Sequence, residues 1–174
     1  MKRYLIGLVI ISVLTFFLVS NNSNSNESNF FTNAVSPTPL QIAGFALGED
    51  EPFLAVNLLT FKDKAEYEDG RETNLTGEEA YTIYANEVRA HLAKVGAEPI
   101  FAGEVQRLIL GDVEELWDVV AVVRYPSRKA MYQMATSEEY LKSEKHRIAG
   151  LAGQLNIEIK ASLFSSNKKQ NIVI

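Results

Sequence analysis

The sequence has no cysteine among its 174 residues, and it has only two histidines and one tryptophan. The lack of cysteine excludes disulfide bonds, thiolate nucleophiles, cysteine-ligated zinc and a lipid-modified N-terminal cysteine. The histidines, His91 and His146, fall in different predicted helices and in no paired-ligand motif, so no metal site is predicted. The sequence also lacks a glycine-rich phosphate loop and a serine nucleophile elbow, and we expect no cofactor.

Positive charge is scarce as well. The chain has 17 Lys and Arg against 22 Asp and Glu, which gives a net charge of −5. A phosphate backbone is bound by clustered Lys and Arg, and no such cluster occurs in the part that is expected to fold. Nucleic acid is therefore not a predicted partner.

The overall composition is that of a globular protein, with 47% apolar and 22% charged residues. A chain of this length can build one domain with a sizeable core. We place this domain at residues 38–164, after a Ser- and Asn-rich linker at residues 21–37 that is too polar to fold. Residues 165–174 are predicted to form a flexible tail.

Residues 1–20 carry Lys2 and Arg3 and then a mostly apolar run over residues 4–19. As a helix this run would be about 24 Å long, shorter than the roughly 30 Å hydrocarbon core, which favours an export signal. The cleavage pattern around Leu18 and Ser20 is poor, so an uncleaved membrane anchor is the alternative. A buried core helix is the third interpretation. Either of the first two places the domain outside the cytoplasm, with membrane contact only through residues 4–19.

Capping patterns mark the starts of the predicted helices. Thr38-Pro39-Leu40-Gln41 opens a short helix, and Thr76 with Glu79 forms a capping box at the start of a long one. Ser127 and Ser137 begin the two parts of a later helical segment. The polar residues 62–75 lie before the long helix, either as a loop with a function or as a short surface helix and a turn.

Four strands are predicted, at residues 53–61, 99–110, 117–125 and 154–161. The first and third are apolar on both faces and therefore belong at the centre of a sheet. The fourth alternates between apolar and polar residues, which is typical of an edge strand. With the helices between them, the order is the split βαβ arrangement of an α+β, ferredoxin-like fold.

Such a fold places its helices on one face of an antiparallel sheet. The other face would then expose either the Phe53, Ala55, Leu59 set or the Leu54, Val56, Leu58 set, and both are apolar. A large apolar patch in water needs a cover. We therefore expect a homodimer in which the two sheets face each other.

Many short motifs occur in the order found in a known bacterial family. They are Asn57-Leu58-Leu59 with Phe61-Lys62-Asp63, Tyr67 with Asp69-Gly70-Arg71, Thr76-Gly77 with Ala80-Tyr81, Phe101-Ala102-Gly103, Trp117-Asp118, Val123-Arg124-Tyr125-Pro126-Ser127-Arg128, Glu139-Tyr140, His146-Arg147 and Ala149-Gly150-Leu151. Over about residues 38–162 the chain resembles the family called domain of unknown function 1330, of the dimeric α/β-barrel superfamily. The resemblance implies a ferredoxin-like fold and a dimeric α/β barrel.

The resemblance assigns no reaction, because the family has none established. Superfamily relatives include cofactor-free monooxygenases, lactone isomerases and haem-degrading enzymes. The predicted export of this chain departs from the cytoplasmic members of the family.

Two polar residues in the predicted central strands are candidates for ligand binding. Asn57 interrupts an apolar strand, and a buried amide without partners costs roughly 1 to 3 kcal/mol. Its partner is either a ligand or a neighbouring protein group. Arg124 can bind a carboxylate or enolate through two donors, or form an ion pair with a nearby Glu or Asp.

Further candidates lie at the predicted ends of the core. His146 and Arg147 end the last helix, where they either transfer protons or simply complement the helix dipole. Glu104 follows Gly103 and is either a buried base or a solvated edge residue. Trp117 and Tyr84 are interpreted as core aromatics rather than as a stacking platform.

Two functions follow from these residues. The first is binding, with or without catalysis, of a small organic molecule between sheet and helices, in a pocket lined by Asn57, Tyr84, Trp117 and Arg124, with His146 or Arg147 at its mouth. The second is a non-catalytic dimeric module at the cell envelope.

Overall fold

A computed structural model describes residues 34–113 and 116–160 of the chain. The predicted signal or anchor segment, the linker up to residue 33 and the tail lie outside the described residues. No helix in the described part is both long and apolar enough to span a membrane. The described residues divide into two compact units, one of residues 36–48 and one of residues 34–35 and 49–160.

The smaller unit contains one helix, α1 (Pro39–Ala46), as the sequence predicts. Thr38 caps it: the Gln41 amide donates to Thr38 Oγ1 at 3.3 Å, and the Thr38 amide donates to Gln41 Oε1 at 2.8 Å. This reciprocal arrangement satisfies amide groups that the first turn of a helix leaves unpaired.

The larger unit has the predicted ferredoxin-like order of elements. It runs β1 (Phe53–Phe61), α2 (Gly77–Lys94), β2 (Glu98–Glu104), β3 (Val119–Tyr125), α3 (Arg128–Ala135), α4 (Glu138–Gly150) and β4 (Leu151–Ile159). The strands form one antiparallel sheet in the order β2-β3-β1-β4. The central positions of β1 and β3 and the edge position of β4 are therefore confirmed.

The two faces of the sheet differ in their cover. On the helix side, Phe53, Ala55 and Leu59 are 5%, 1% and 0% exposed and form part of the core. Strand alternation puts the Leu54, Val56 and Leu58 set on the opposite face, and the register of the other strands adds to it. We call this surface the open face; its apolar residues are Leu54, Val56, Leu58, Phe101, Val120, Val122, Leu155, Ile157 and Ile159.

Three predicted strands have different bounds in the structure, and one of them, β3, begins at Val119 rather than at residue 117. The second ends at Glu104 rather than at residue 110, because Glu104 pairs with Val119, the first residue of β3. Beyond that pair the Val105 amide donates to the Asp118 carbonyl at 2.8 Å, and no strand continues. The fourth strand begins at Leu151, and its polar residues lie on the helix side, where Arg128 donates twice to Glu158 at 2.8 and 2.9 Å.

Three backbone segments meet closely at one point, which we call the glycine junction: Lys62, Gly77 and Gly150. The Gly77 amide donates to the Lys62 carbonyl at 3.0 Å, and the Lys62 amide donates to the Gly150 carbonyl at 2.9 Å. A Cβ atom on Gly150 would lie 2.3 Å from the Gly77 carbonyl oxygen. Only glycine therefore lets the start of α2 approach the end of α4 this closely.

The polar segment at residues 62–75 is a loop, and no helix forms in it. Backbone hydrogen bonds hold it, from the Ala65 amide to the Leu75 carbonyl and from the Glu66 amide to the Ala149 carbonyl, both at 2.9 Å. Its Ala65 and Tyr67 are buried in a small cluster with Ala80 and Ala149. The loop is thus fixed to both long helices.

Candidate functional site

Arg147 is the centre of a buried polar network between the sheet and the helices. It lies in the last turn of α4 and is 8% exposed. Its Nη1 donates to the Val35 carbonyl at 2.7 Å and to Gln154 Oε1 at 2.8 Å, and its Nη2 donates to Glu144 Oε1 at 2.7 Å. The guanidinium thus joins the helix to β4 and to the segment that precedes the domain.

Asn57 is the next member of this network. Its Oδ1 accepts from Gln154 Nε2 at 2.9 Å, and its Nδ2 donates to the Ala55 carbonyl at 3.3 Å. Both ends of the amide therefore bond to protein groups, and Gln154 connects Asn57 to Arg147. The polar residue inside the apolar strand is explained by this connection.

Four tyrosines cluster on the helix side, and three of them, Tyr81, Tyr84 and Tyr140, interact electrostatically with Arg147. Tyr84 and Tyr140 are 8% and 7% exposed, and their hydroxyl oxygens are 3.3 Å apart. The ring of Tyr81 lies 5.4 Å from that of Tyr84, and Tyr125 stacks on Phe53 at 5.3 Å. Together with Arg147 these residues form what we call the tyrosine–arginine site: Tyr81, Tyr84, Tyr125, Tyr140 and Arg147.

Burial governs the protonation of the tyrosines in this site. It raises the pKa of Tyr81 to about 12, although the positive charge of Arg147 acts in the opposite direction. Burial likewise raises the pKa values of Tyr84, Tyr125 and Tyr140. All four hydroxyls are therefore neutral near pH 7 and can donate hydrogen bonds.

One donor of the site lacks a partner. The Nε of Arg147 is buried and forms no hydrogen bond in the described part of the chain. Nearby residues of the sheet on the helix side, including Asn57, Ala121 and Val123, are only half-buried. This part of the sheet is therefore partly accessible to solvent.

The structure does not bring Arg124 to this site. Arg124 pairs with Leu54 and so projects from the open face, whereas Asn57 and Tyr84 lie on the helix side. Its guanidinium forms an exposed ion pair with Glu98 at 3.0 Å. The predicted pocket lined by both Asn57 and Arg124 is therefore not formed, because the two residues have opposite parity on adjacent strands.

Glu104 and Trp117 are also not part of the tyrosine–arginine site. Glu104 is exposed at the end of the edge strand β2. Trp117 is half-buried just before β3, next to Asp118, whose amide donates to the Leu59 carbonyl at 2.8 Å. Within the described residues, neither side chain forms a hydrogen bond or ion pair that gives it a chemical role.

His146 belongs to a separate polar group on the other side of α4. Its Nδ1 is hydrogen-bonded to the Tyr67 hydroxyl at 2.7 Å. The guanidinium carbon of Arg71 lies 4.6 Å from the centre of the Tyr67 ring, and Arg71 also forms an ion pair with Asp69. Burial lowers the pKa of His146 below its ordinary value, with Glu87 opposing this shift. Among the described residues, no three His, Asp or Glu side chains are grouped to hold a metal ion.

The sequence analysis found Asn57, Tyr84 and Arg147 but missed most of their partners. The missed residues are Tyr81, Tyr125, Tyr140, Glu144 and Gln154. A usable signal was the spacing of Tyr140 and Arg147, seven residues apart on one helix, which places both on one face. Tyr81 and Tyr84, three residues apart, face the same region from α2.

Comparison with known proteins gives a family and no activity. The model of the family described as Domain of unknown function (DUF1330) matches residues 71–157. No functionally curated protein matches the chain. A crystal structure of a protein of unknown function from Rhodopseudomonas palustris is similar to 75% of this chain and 98% of its own, with a TM-score of 0.68 and 28% identity.

A second crystal structure, of the same bacterial protein in methylated form, is similar to 78% of this chain and 100% of its own. Its TM-score is 0.70 and its sequence is 30% identical. A protein of unknown function from Bacteroides fragilis, described as dimeric and ferredoxin-like, has a TM-score of 0.43 and 13% identity, over 63% of this chain and 95% of its own.

Proposed function

The chain belongs to the family described as Domain of unknown function (DUF1330), and from this premise we propose that it is a homodimeric domain that binds a small organic acid at the tyrosine–arginine site. The observation that carries the binding proposal is the buried Nε of Arg147, which forms no hydrogen bond with the described residues. A buried donor left unpaired costs about 1 to 3 kcal/mol. A ligand oxygen that accepts from it would recover this free energy.

The chemistry of the site defines the class of ligand. A guanidinium binds a carboxylate or enolate oxygen well, and the neutral tyrosine hydroxyls are additional donors. Glu144 already balances the charge of Arg147. We therefore propose a ligand with one acidic group and an apolar body, and not a polyanion.

The test is a thermal-shift series with small monocarboxylates, from acetate to benzoate and phenylacetate, each compared with its neutral amide. A ligand that binds only the folded protein raises the melting temperature. Tyr81→Phe removes one hydroxyl and keeps the ring, so it should weaken binding by about 2- to 13-fold, the equivalent of one hydrogen bond.

Tyr132→Phe is the matched control, because Tyr132 is 42% exposed and lies outside the site. It should leave binding unchanged. The proposal fails if no carboxylate raises the melting temperature, or if Tyr81→Phe binds as the unchanged protein does.

The dimer is supported by the open face. Its residues Leu155, Ile157 and Ile159 are 46%, 45% and 40% exposed, and their neighbours on β1 and β3 are also apolar. Burying such side chains contributes about 1.5 to 3 kcal/mol each, which favours a second copy packed against the same face. Sedimentation equilibrium would contradict the dimer if the chain were monomeric at micromolar concentration.

We also propose that residues 1–20 export the domain or anchor it in the cytoplasmic membrane. The support is the apolar run that follows Lys2 and Arg3. Fractionation of cells that express the full chain or a chain lacking residues 1–20 tests this. Equal recovery of both in the cytoplasm would refute it.

A non-catalytic dimeric module at the envelope is the second candidate function. The observation that favours it is that Asn57 and Arg124 both bond to protein groups. Under this alternative, Asn57→Ala and Arg124→Ala change stability only. Loss of carboxylate binding in Asn57→Ala, at an unchanged melting temperature, would exclude it.

A further inference from the structure

The chain between β2 and β3 leaves the sheet as an exposed projection. The Val105 amide donates to the Asp118 carbonyl at the base of this projection. Within this segment Gly111 has a positive φ of 90°. We call residues 105–113 the arm.

The arm exposes several large apolar side chains to solvent. Ile109 and Leu110 are 92% and 91% exposed, and Leu108 and Val113 are 43% and 52% exposed. A run of this kind in water is unfavourable, and contiguous exposed apolar surface commonly marks an interaction site. Nothing in the described part of the domain covers these side chains.

The arm is continuous with the open face. Phe101 lies on that face in β2, and its ring covers Gly103, where an added Cβ would lie 2.9 Å from the ring. Apolar surface thus extends along β2 from the sheet to the base of the arm. A partner seated on the open face would reach the arm as well.

The area of the open face can be compared with the area that a stable interface buries. Four strands of seven to nine residues give a flat area of about 24 to 31 Å by 19 Å, or about 450 to 590 Å². A stable interface buries about 800 Å² on each partner. The arm supplies additional apolar surface next to the sheet, which brings the available area closer to this size.

Charge disfavours a membrane as the occupant. Arg107 precedes the apolar part of the arm and Asp112 follows it, so the arm has no excess of basic residues, and the chain as a whole carries −5. Anionic lipid surfaces attract basic segments and repel acidic ones. A second copy of the same chain has no such conflict, because it presents an apolar face.

We propose that the arm of each copy packs on the second copy and completes the dimer interface that the open face begins. This inference rests on the dimer proposed above. A two-fold axis makes the contact reciprocal, so each dimer buries two arms.

The experiment measures dimer dissociation of the full chain by sedimentation equilibrium in a mild detergent. Ile109→Asp with Leu110→Asp places two charges on an exposed segment that makes no core contact, so folding should persist. If both arms are buried in the dimer, the dissociation constant should rise at least about 100-fold. Leu141→Asp is the matched control, because Leu141 is 51% exposed on α4, and it should leave dissociation unchanged.

Ile157→Asp, on the open face, separates this inference from the dimer itself. If Ile157→Asp dissociates the dimer while the arm variant does not, the dimer stands and the role of the arm is refuted. If the unchanged chain is monomeric, the dimer and the arm contact both fail. Flotation with phosphatidylglycerol vesicles that depends on Ile109 and Leu110, with dimerisation unaffected by them, would assign the arm to the membrane and overturn the inference.

Discussion

Replacing Gly150 with alanine should separate the two long helices and destabilise the fold. The new Cβ would lie 2.3 Å from the Gly77 carbonyl oxygen and 3.0 Å from the Tyr81 amide nitrogen. An ordinary contact begins near 3.4 Å, so the α2 backbone must move by about 1 Å. Both atoms it meets are backbone, and neither can turn aside as a side chain would.

The expected cost combines three effects. Overpacking of this kind costs about 1 to 3 kcal/mol, and weakening the hydrogen bonds of the glycine junction costs about 0.5 to 1.5 kcal/mol each. The better helix propensity of alanine returns about 1 kcal/mol. With two hydrogen bonds in the junction, the net loss should be about 1 to 5 kcal/mol, which for a chain of this size lowers the melting temperature by about 2 to 20 °C.

Thermal unfolding followed by circular dichroism is the assay, with Gly44→Ala as the control. Gly44 is also helical, but a Cβ placed there meets nothing within 4 Å, so its substitution should be neutral or slightly stabilising. If Gly150→Ala melts within about 1 °C of the unchanged protein, the close approach of the helices is not what maintains this part of the fold.

Four further predictions concern titration, a hydrogen bond and an ion pair. Because folding raises the pKa of Tyr81 to about 12, stability should be complete below about pH 10 and fall as the pH rises toward 12, which tyrosinate absorbance and unfolding curves will show together. Burial lowers the pKa of His146, so its NMR titration should have a midpoint below 6.5, and the stability it contributes should be lost as the pH falls below that value. Tyr67→Phe removes the hydroxyl bonded to His146 and should cost about 0.5 to 1.5 kcal/mol in urea unfolding. Arg124→Ala breaks an exposed ion pair and should cost no more than about 1 kcal/mol; a larger loss would show that Arg124 has another partner.

The fold was largely predictable because its local signals agree with one another. Thr38 and Thr76 mark helix starts through capping boxes that the structure contains. The doubly apolar strands do lie at the centre of the sheet. Residues 105–110 misled the strand prediction because their apolar character resembles that of a strand, whereas β3 offers them no partner beyond Val119. Pairing depends on the distant strand, which a local pattern cannot report.

The site was predictable only in part, for a similar reason. Asn57 stands out as a polar residue in an apolar strand, but its partner, Gln154, looks like an ordinary edge-strand residue. Arg124 has the chemistry of a binding residue, but the alternation of side chains along β3 puts it on the open face, away from the tyrosine–arginine site. Whether two residues on β1 and β3 face the same side of the sheet depends on the register of these strands, which only the structure provides.

The place of Trp117 has a practical consequence. It is the sole tryptophan in the chain, and it lies half-buried just before β3. This is where the chain that leaves the sheet at Val105 comes back to it. Intrinsic fluorescence excited at the red edge therefore comes from one known position. A shift of its emission to shorter wavelength on raising the protein concentration would report self-association through that region without any attached dye.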